Sequence, residues 1–177
     1  MTLDEITRTA IDPALAWLPP KMDSLEARQE LLTIGLQESR FEHRWQVLND
    51  PKKKGPARSF WQGEQGGGMV TGTMTHPASK GLVRAACAER KVAFTSWAIW
   101  TAIENDDVLA AILARLLLWT EPGPLPRVTD EDSAWDLYLH AWRPGAYARG
   151  MPAERDALRK KWDVNHRRVR AFLGAPS

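Results

Sequence analysis

The chain has 177 residues, a formal net charge of +2 and a hydrophobic fraction of 44%, which is an ordinary profile for a globular protein. That length can bury a substantial core without disulfide or metal staples, and the charge does not demand a nucleic-acid partner. The single Cys87 excludes an internal disulfide framework, which fits folding in a reducing cytosol. Nine Trp residues stand out, because their wide flat faces suit both cores and sugar-binding clefts.

No segment is typical of export or of membrane insertion. Residues 1–17 are acidic early and lack the apolar run of a signal peptide. The most apolar stretch, Val108–Trp119, is too short to span a bilayer and carries Arg115 in its middle. We therefore expect a protein that is made without a secretory signal and does not insert into a membrane.

Helical patterns dominate from the N-terminus onward. The first runs from Leu3 to Leu18, where two prolines end it. Asp23 or Ser24 can cap the next helix, with Glu26 reaching back as in a capping box. Apolar residues then recur at helical spacing to about Ser39, which predicts one buried face.

Between Phe41 and Thr75 the pattern changes, and we predict a small irregular or β-containing insert. Residues 51–56 are typical of a turn-rich link, and Gly66–Gly68 of a second turn. Short strands are predicted at Ser59–Gln62 and Met69–Met74.

Helical patterns return in the rest of the chain. The predicted helices cover residues 77–91 with Pro77 in the first turn, 95–103, 108–119 capped by Asp106 or Asp107, 130–142 capped by Thr129 or Asp130, and the strongly basic 152–173. The helix at 108–119 is apolar on nearly every side, so it should lie buried at the centre. We expect a mainly α protein whose residues 1–177 form a single domain.

Glu38 is the most unusual polar residue of the second predicted helix. It continues the apolar face of Leu31 and Ile34, so its carboxyl should lie at the core or at the lip of a cleft. Burial and the negative end of the helix dipole both raise a carboxyl pKa, which suits a general acid for a glycosidic oxygen. The alternative is a Glu38 that is solvated, or one that is salt-bridged to Arg40 or Arg44.

Two neighbouring motifs give Glu38 a context. The segment LQESRFEHRWQ, residues 36–46, is followed by GPARSFWQ, residues 55–62. This pair resembles the first two motifs of soluble lytic transglycosylases and goose-type lysozymes, in which a Glu-Ser pair ends a helix and a Gln-bearing block follows. The resemblance covers these two segments and, beyond them, only the helical layout.

The resemblance implies a lysozyme-like fold and cleavage of the β-1,4 bond between N-acetylmuramic acid and N-acetylglucosamine in bacterial peptidoglycan. It implies no cofactor and no metal. By position, the implied site consists of Glu38 as catalytic acid, Ser39 as its steadying neighbour, and Gln62 as the cleft amide, with Phe60 and Trp61 beside it.

Departures from the family pattern favour a distant, phage-type member. The Gly and Met that usually precede the Gln are missing at Ser59–Gln62. The third family motif, Ala-Tyr-Asn-x-Gly, has only a partial match in residues 134–146, where Tyr138 and Gly145 take the corresponding places. The placement implies an endolysin or a virion-carried lysozyme, with peptidoglycan and other virion proteins as partners. Such a protein is made in the bacterial cytoplasm and acts on the cell wall.

Glu64 bears on the mechanism. Glycoside hydrolysis usually uses two carboxylates, and Glu64 follows Gln62 by two positions, so both would face one side of an extended segment. Without Glu64, Glu38 would act alone while the 6-hydroxyl of the substrate attacks, leaving a 1,6-anhydro sugar, as the resemblance implies. The alternative is a solvated Glu64 ahead of Gly66–Gly68, which serve either as a plain turn or as a close approach for sugar.

Other function classes stay open. A wall- or virion-binding protein would keep the fold without the chemistry, and an amidase or peptidase would need metal ligands or a nucleophile, of which the four scattered His residues give no sign. A basic helical protein could bind nucleic acid, although the low net charge disfavours it. The basic residues of the last helix, which could also attract anionic wall polymers or form a solvated face, are Arg155, Arg159, Lys160, Lys161, Arg167, Arg168 and Arg170.

Overall fold

The computed structural model describes residues 1–48, 50 and 53–175, which form a mainly helical protein with one small antiparallel sheet, as predicted. The α-helices of this part are α1 (Leu3–Ile6), α2 (Asp12–Trp17), α3 (Leu25–Glu38), α4 (Thr73–Thr75), α5 (Lys80–Glu89), α6 (Ser96–Ala102), α7 (Asp107–Thr120), α8 (Glu131–Trp142), α9 (Gly145–Arg149) and α10 (Pro152–Phe172). A π-helical segment, Thr7–Ile11, joins α1 to α2, another, Gly68–Gly72, leads into α4, and a 3-10 helix covers Pro20–Met22. The strands are β1 (Trp45–Val47), β2 (Lys54–Arg58) and β3 (Gly63–Glu64).

Side-chain caps explain where several helices begin. The capping residues are Ser24 of α3, Thr95 of α6, Asp106 of α7 and Asp130 of α8, and each side-chain oxygen accepts a hydrogen bond from the backbone N–H three residues on. Because Ser24 rather than Asp23 caps α3, Glu26 occupies the second helical position. A capping box needs its acid at the third position, so the one predicted here does not form.

Helix α7 is the buried centre of the fold, as its apolar sequence predicted. All residues from Leu109 to Leu118 are buried, including Arg115, whose Nε donates to the carbonyl of Met22 at 2.8 Å. The surrounding hydrophobic core extends from Leu3 of α1 to Val169 of α10. None of the helices in the described ranges is both long enough and apolar enough to cross a bilayer.

The sheet lies within the predicted insert and has the order β1-β2-β3, with both pairs antiparallel. Ala57 of β2 pairs with Glu64 of β3. Arg58, the last residue of β2, forms an ion pair with Glu104 at 2.8 Å, which ties the sheet to the segment ahead of α7.

Both predicted strands of the insert are wrong. Residues 59–62 form a turn between β2 and β3, and both Ser59 (φ 68°) and Gln62 (φ 51°) adopt the left-handed conformation that the reversal requires. Residues 69–74 are helical, because their buried side chains, Met69, Val70 and Thr73, recur at helical rather than alternating positions.

The observed β2 lies where the sequence predicted a turn-rich link. Gly55 and Pro56 are poor strand formers, and the register of the partner strand is irregular opposite them, which accommodates the missing N–H of the proline. Pro51 and Lys52 of that predicted link lie outside the described residues. Helix α5 begins at Lys80 rather than at Pro77, after a turn over residues 77–79.

The chain turns sharply where α3 ends. The Ser39 hydroxyl donates to the carbonyl of Gly35 at 3.2 Å and accepts a hydrogen bond from the backbone N–H of Phe41 at 3.1 Å. Arg40 and Phe41 both adopt left-handed backbone conformations, with φ of 55° and 58°. The turn sends the Phe41 side chain back over Gly35 and into the core.

Replacing Gly35 with alanine should destabilise the protein. An added Cβ would lie 2.2 Å from two ring carbons of Phe41, and that ring is buried in edge-on contact with Phe60 and Trp61. We expect Gly35→Ala to lower the free energy of unfolding, measured by urea denaturation, by about 1–3 kcal/mol. Gly81→Ala is the matched control, because nothing lies within 4 Å of its added Cβ; equal losses in the two variants would contradict the packing argument.

Candidate active site

A cleft of about 350 Å³ opens where the end of α3, the sheet and α8 meet. Four residues predicted from the sequence line it, namely Glu38, Gln62, Glu64 and Tyr138. The glycines Gly67, Gly68 and Gly145 also form part of its wall. The structure therefore brings all three candidate motif segments to one cavity.

Glu38 is held by Tyr138 at the wall of this cleft. The Tyr138 hydroxyl donates a hydrogen bond to Oε1 of Glu38 at 2.6 Å. Tyr138 itself is buried, and its ring stacks on Trp162 with centroids 4.8 Å apart, so the phenol cannot swing away freely. The carboxyl thus faces a donor of fixed position while remaining in contact with the cavity.

Burial raises the pKa of Glu38 to about 7. The Tyr138 hydrogen bond and the ammonium of Lys161 oppose this rise, whereas the negative charge of Glu64 adds to it. Among the described residues Glu38 has no ion-pair partner, and Arg44 is paired with Asp107 at 2.6 Å. The predicted alternative of a salt bridge from Glu38 to Arg40 or Arg44 is therefore wrong.

Glu64 is exposed and lies on β3, on the same cleft as Glu38. Its negative charge adds to the rise in the pKa of Glu38. Gln62 reaches the cleft from the preceding left-handed turn, not from an extended strand as predicted, and its Nε2 donates to the carbonyl of Ser59 at 2.8 Å.

Ser39 has a structural part in this arrangement. Its side chain is buried, and its hydroxyl is engaged with backbone groups of Gly35 and Phe41. It borders a neighbouring cavity on the Arg40 side of Glu38. Ser39 therefore steadies the helix end that carries Glu38.

The prediction that Phe60 and Trp61 contact a ligand is wrong. Their side chains are 1% and 0% exposed, and Trp61 Nε1 donates to the carbonyl of Leu31 on α3 at 2.8 Å. Both rings pack against Phe41, because the turn over residues 59–62 directs them inward. The contacts of Phe60 and Trp61 with Phe41 thus pack residues 36–46 against residues 55–62, and neither ring lines the cleft.

Sequence reasoning missed several residues of the site. Trp142 lines the cleft, held by its Nε1 hydrogen bond to the carbonyl of Trp61 at 2.9 Å. Lys161 of α10 donates to the carbonyl of Gln37 and borders the adjoining cavity. The many tryptophans were a signal for a sugar site, but nothing local distinguishes Trp142 from the buried ones.

Glu30 is a second carboxyl of α3 that the sequence analysis did not single out. It is 1% exposed, its Oε2 has no hydrogen-bond partner within the described part of the chain, and burial raises its pKa to about 8. Unlike Glu38, it is absent from the cleft wall. A raised pKa alone therefore does not mark the site; the cleft does.

Comparison with known proteins adds no relative, because no protein-family model, curated protein or solved structure significantly matches this chain. Within residues 1–48, 50 and 53–175, no group of three or more His, Cys, Asp or Glu side chains is placed to hold a metal ion.

Removing the Tyr138 hydroxyl should raise the pKa of Glu38 further. The hydrogen bond favours the carboxylate, so Tyr138→Phe removes an interaction that lowers the pKa. We expect a Glu38 pKa above 7 in the variant, measured by NMR titration of the carboxyl carbon. Tyr147→Phe, which changes the other tyrosine, should leave the titration of Glu38 unchanged. An unchanged or lower Glu38 pKa in Tyr138→Phe would show that the Tyr138 hydrogen bond does not lower this pKa.

Glu30→Gln should make the protein more stable at alkaline pH. Native Glu30 keeps its proton up to about pH 8, whereas in the unfolded chain it ionises near its ordinary value. Wild type should therefore lose stability relative to the variant by about 1.4 kcal/mol per pH unit as the pH rises through this window. The measurement is the difference in free energy of unfolding between the two proteins, from urea denaturation between pH 5 and 9. The titrations of Glu38 and His166 are common to both proteins and cancel in this difference. A difference that does not change with pH would show that Glu30 is not buried as described.

Proposed function

We propose that this protein is a lysozyme-like glycosidase that cleaves the β-1,4 bond between N-acetylmuramic acid and N-acetylglucosamine in peptidoglycan, with Glu38 as general acid. The observation that carries the proposal is the Glu38 carboxyl on the cleft wall, bonded to Tyr138 and with its pKa raised to about 7. An ordinary Glu, with a pKa of about 4.3, would have lost its proton at neutral pH. Glu38 retains enough of the acid form to protonate a leaving sugar oxygen.

The acid step uses two side chains. Glu38 transfers its proton to the bridging oxygen as the bond from that oxygen to the anomeric carbon breaks. The carboxylate that results keeps its hydrogen bond from Tyr138, which favours the charged form. Lys161 adds a positive charge on the same side of the site. The site therefore stabilises Glu38 in both states that the reaction needs.

Glu64 is the proposed second carboxylate. As a base it would accept a proton from water, and the water oxygen would bond to the anomeric carbon to complete hydrolysis. Without its participation, the Glu38 carboxylate would take the proton of the substrate 6-hydroxyl, whose oxygen attacks the same carbon and leaves a 1,6-anhydro sugar. Gln62 and Trp142 line the cleft, and in this proposal they would hold the glycan along its wall.

The lysozyme-like fold and the phage-type placement are part of the same proposal. They are supported by the two-motif resemblance, and by the small sheet that adjoins the helix end bearing the acid. Bacterial peptidoglycan is then the partner, and the cell wall is the place of action.

Glu38→Gln should abolish lysis of outer-membrane-permeabilised cells in a turbidity assay. General acid catalysis contributes about 10²- to 10⁴-fold, and we expect a loss of that size. Glu30→Gln is the matched control, since it makes the same change on the same helix away from the cleft, and should retain activity. Equal clearing by wild type and Glu38→Gln would reject the role of Glu38.

Mass spectrometry of digested peptidoglycan separates the two mechanisms in the same experiment. Reducing ends together with loss of activity in Glu64→Gln indicate hydrolysis with Glu64 as base. Anhydro ends that persist in Glu64→Gln indicate that Glu38 acts alone. Cleaved peptides or no product would overturn the proposed glycosidase.

A further inference from the structure

The basic residues of α10 have different surroundings, and their contacts separate them. Arg155 donates to the backbone carbonyls of Tyr147 and Ala148. Arg159 is paired with Asp132 and Asp163 at 2.6 and 2.5 Å. These two cations are engaged within the fold, whereas Lys160, Lys161 and Arg168 face a cavity together.

A series of cavities with shared wall residues, here called the groove, extends from Glu38 to these cations. The cavity next to the cleft, of about 320 Å³, shares Glu38 and Gln62 with it and reaches Arg40 and Lys161. A further cavity of about 660 Å³ shares Arg40 and Lys161 with that one and continues to Lys160 and Arg168. We call the four cations Arg40, Lys160, Lys161 and Arg168 the basic end of the groove.

Charge is distributed unevenly along the groove. Among the described residues, no member of the basic end lies within ion-pair distance of a carboxylate. Glu42 lines both cavities of the basic end and Glu38 lines the nearer one, whereas the cleft on the other side of Glu38 is lined by Glu64 and by no described Lys or Arg. Like charges that no ion pair neutralises repel one another, so this end favours an anionic occupant.

The sharp turn after α3 creates this end. Arg40 follows Glu38 by two residues, and its left-handed backbone leaves its side chain exposed beside the groove. Lys161 is fixed from the other wall by its bond to the carbonyl of Gln37. A cationic subsite therefore begins within two residues of the proposed acid.

We propose that the basic end binds carboxylate groups carried by the glycan strand on one side of the bond to be cleaved. The inference rests on the proposed function and adds to it a subsite for the carboxylates of the strand. Guanidinium and ammonium groups form charge-assisted hydrogen bonds with carboxylates.

The test is a sedimentation-binding assay with the Glu38→Gln protein, which keeps the groove and is expected not to cleave. The probes are native peptidoglycan and the same material after its carboxyl groups have been converted to neutral methylamides. We expect about tenfold tighter binding to the native form. Adding Arg40→Gln and Lys160→Gln should lower affinity for native peptidoglycan about tenfold and leave binding to the amidated form unchanged.

The matched control adds Lys80→Gln and Arg167→Gln, which remove the same charge from exposed positions outside the groove. It should bind both materials as the parent does. Equal binding of the parent to the two materials, or equal losses in the two double variants, would overturn the proposal. A short DNA duplex is also tested as a competitor against native peptidoglycan. If it displaces the bound material as effectively as free peptidoglycan does, the site is a general polyanion site and the proposal is overturned.

Failure of this inference differs from failure of the proposed function. Cleavage is measured separately in proteins that retain Glu38, so binding without cleavage rejects the catalytic role and leaves the carboxylate subsite standing. Cleavage without carboxylate dependence rejects only the subsite. If the groove double variant does not fold, shown by its circular dichroism, the comparison of the two materials on the parent protein decides the result.

Discussion

The hydrogen bond from Tyr138 to Glu38 is the contact on which the site depends. It joins residues 100 positions apart and connects α8 to the last residue of α3. Burial raises the pKa of Glu38, and the hydrogen bond from the Tyr138 hydroxyl lowers it. The resulting pKa is about 7. Stacking of Tyr138 on Trp162 keeps the donor in place, so the packing between α8 and α10 helps to position the Tyr138 hydroxyl beside Glu38.

Helix α3 carries two carboxyls with raised pKa values, and they differ in their hydrogen-bond partners and in their access to the cleft. Glu30 is sealed from solvent and has an oxygen without a described partner. Glu38 has a donor, a neighbouring carboxylate and an open cleft. Desolvation makes a carboxyl a good acid at neutral pH, but only access lets it act on a substrate. The combination of the two distinguishes Glu38 from a buried polar residue.

The aromatic residues of the two motifs hold the site together from behind. Phe41 follows the acid-bearing helix end and contacts Phe60 and Trp61, with ring centroids 5.7 and 6.1 Å apart. These contacts fix the turn that presents Gln62 to the cleft. The adjacent Arg40 has the same left-handed backbone conformation, but its side chain is exposed beside the groove. Of these two successive residues, Phe41 therefore lies in the core and Arg40 at the surface. The aromatic residues of both segments therefore serve the packing of the core.

The sequence by itself determined the helices and the candidate acid, because caps and apolar periodicity are local signals. Ser24, Asp106 and Asp130 begin helices as predicted, and the spacing of Glu38 from Leu31 and Ile34 predicted its place at the edge of the core. Only the tertiary structure decided that a segment with Gly55 and Pro56 forms a strand, that Trp142 rather than Trp61 faces the cleft, and that Lys161 lies beside Glu38. Those outcomes depend on contacts between residues far apart in the chain, and local spacing carries no information about which distant element will cover a given side chain.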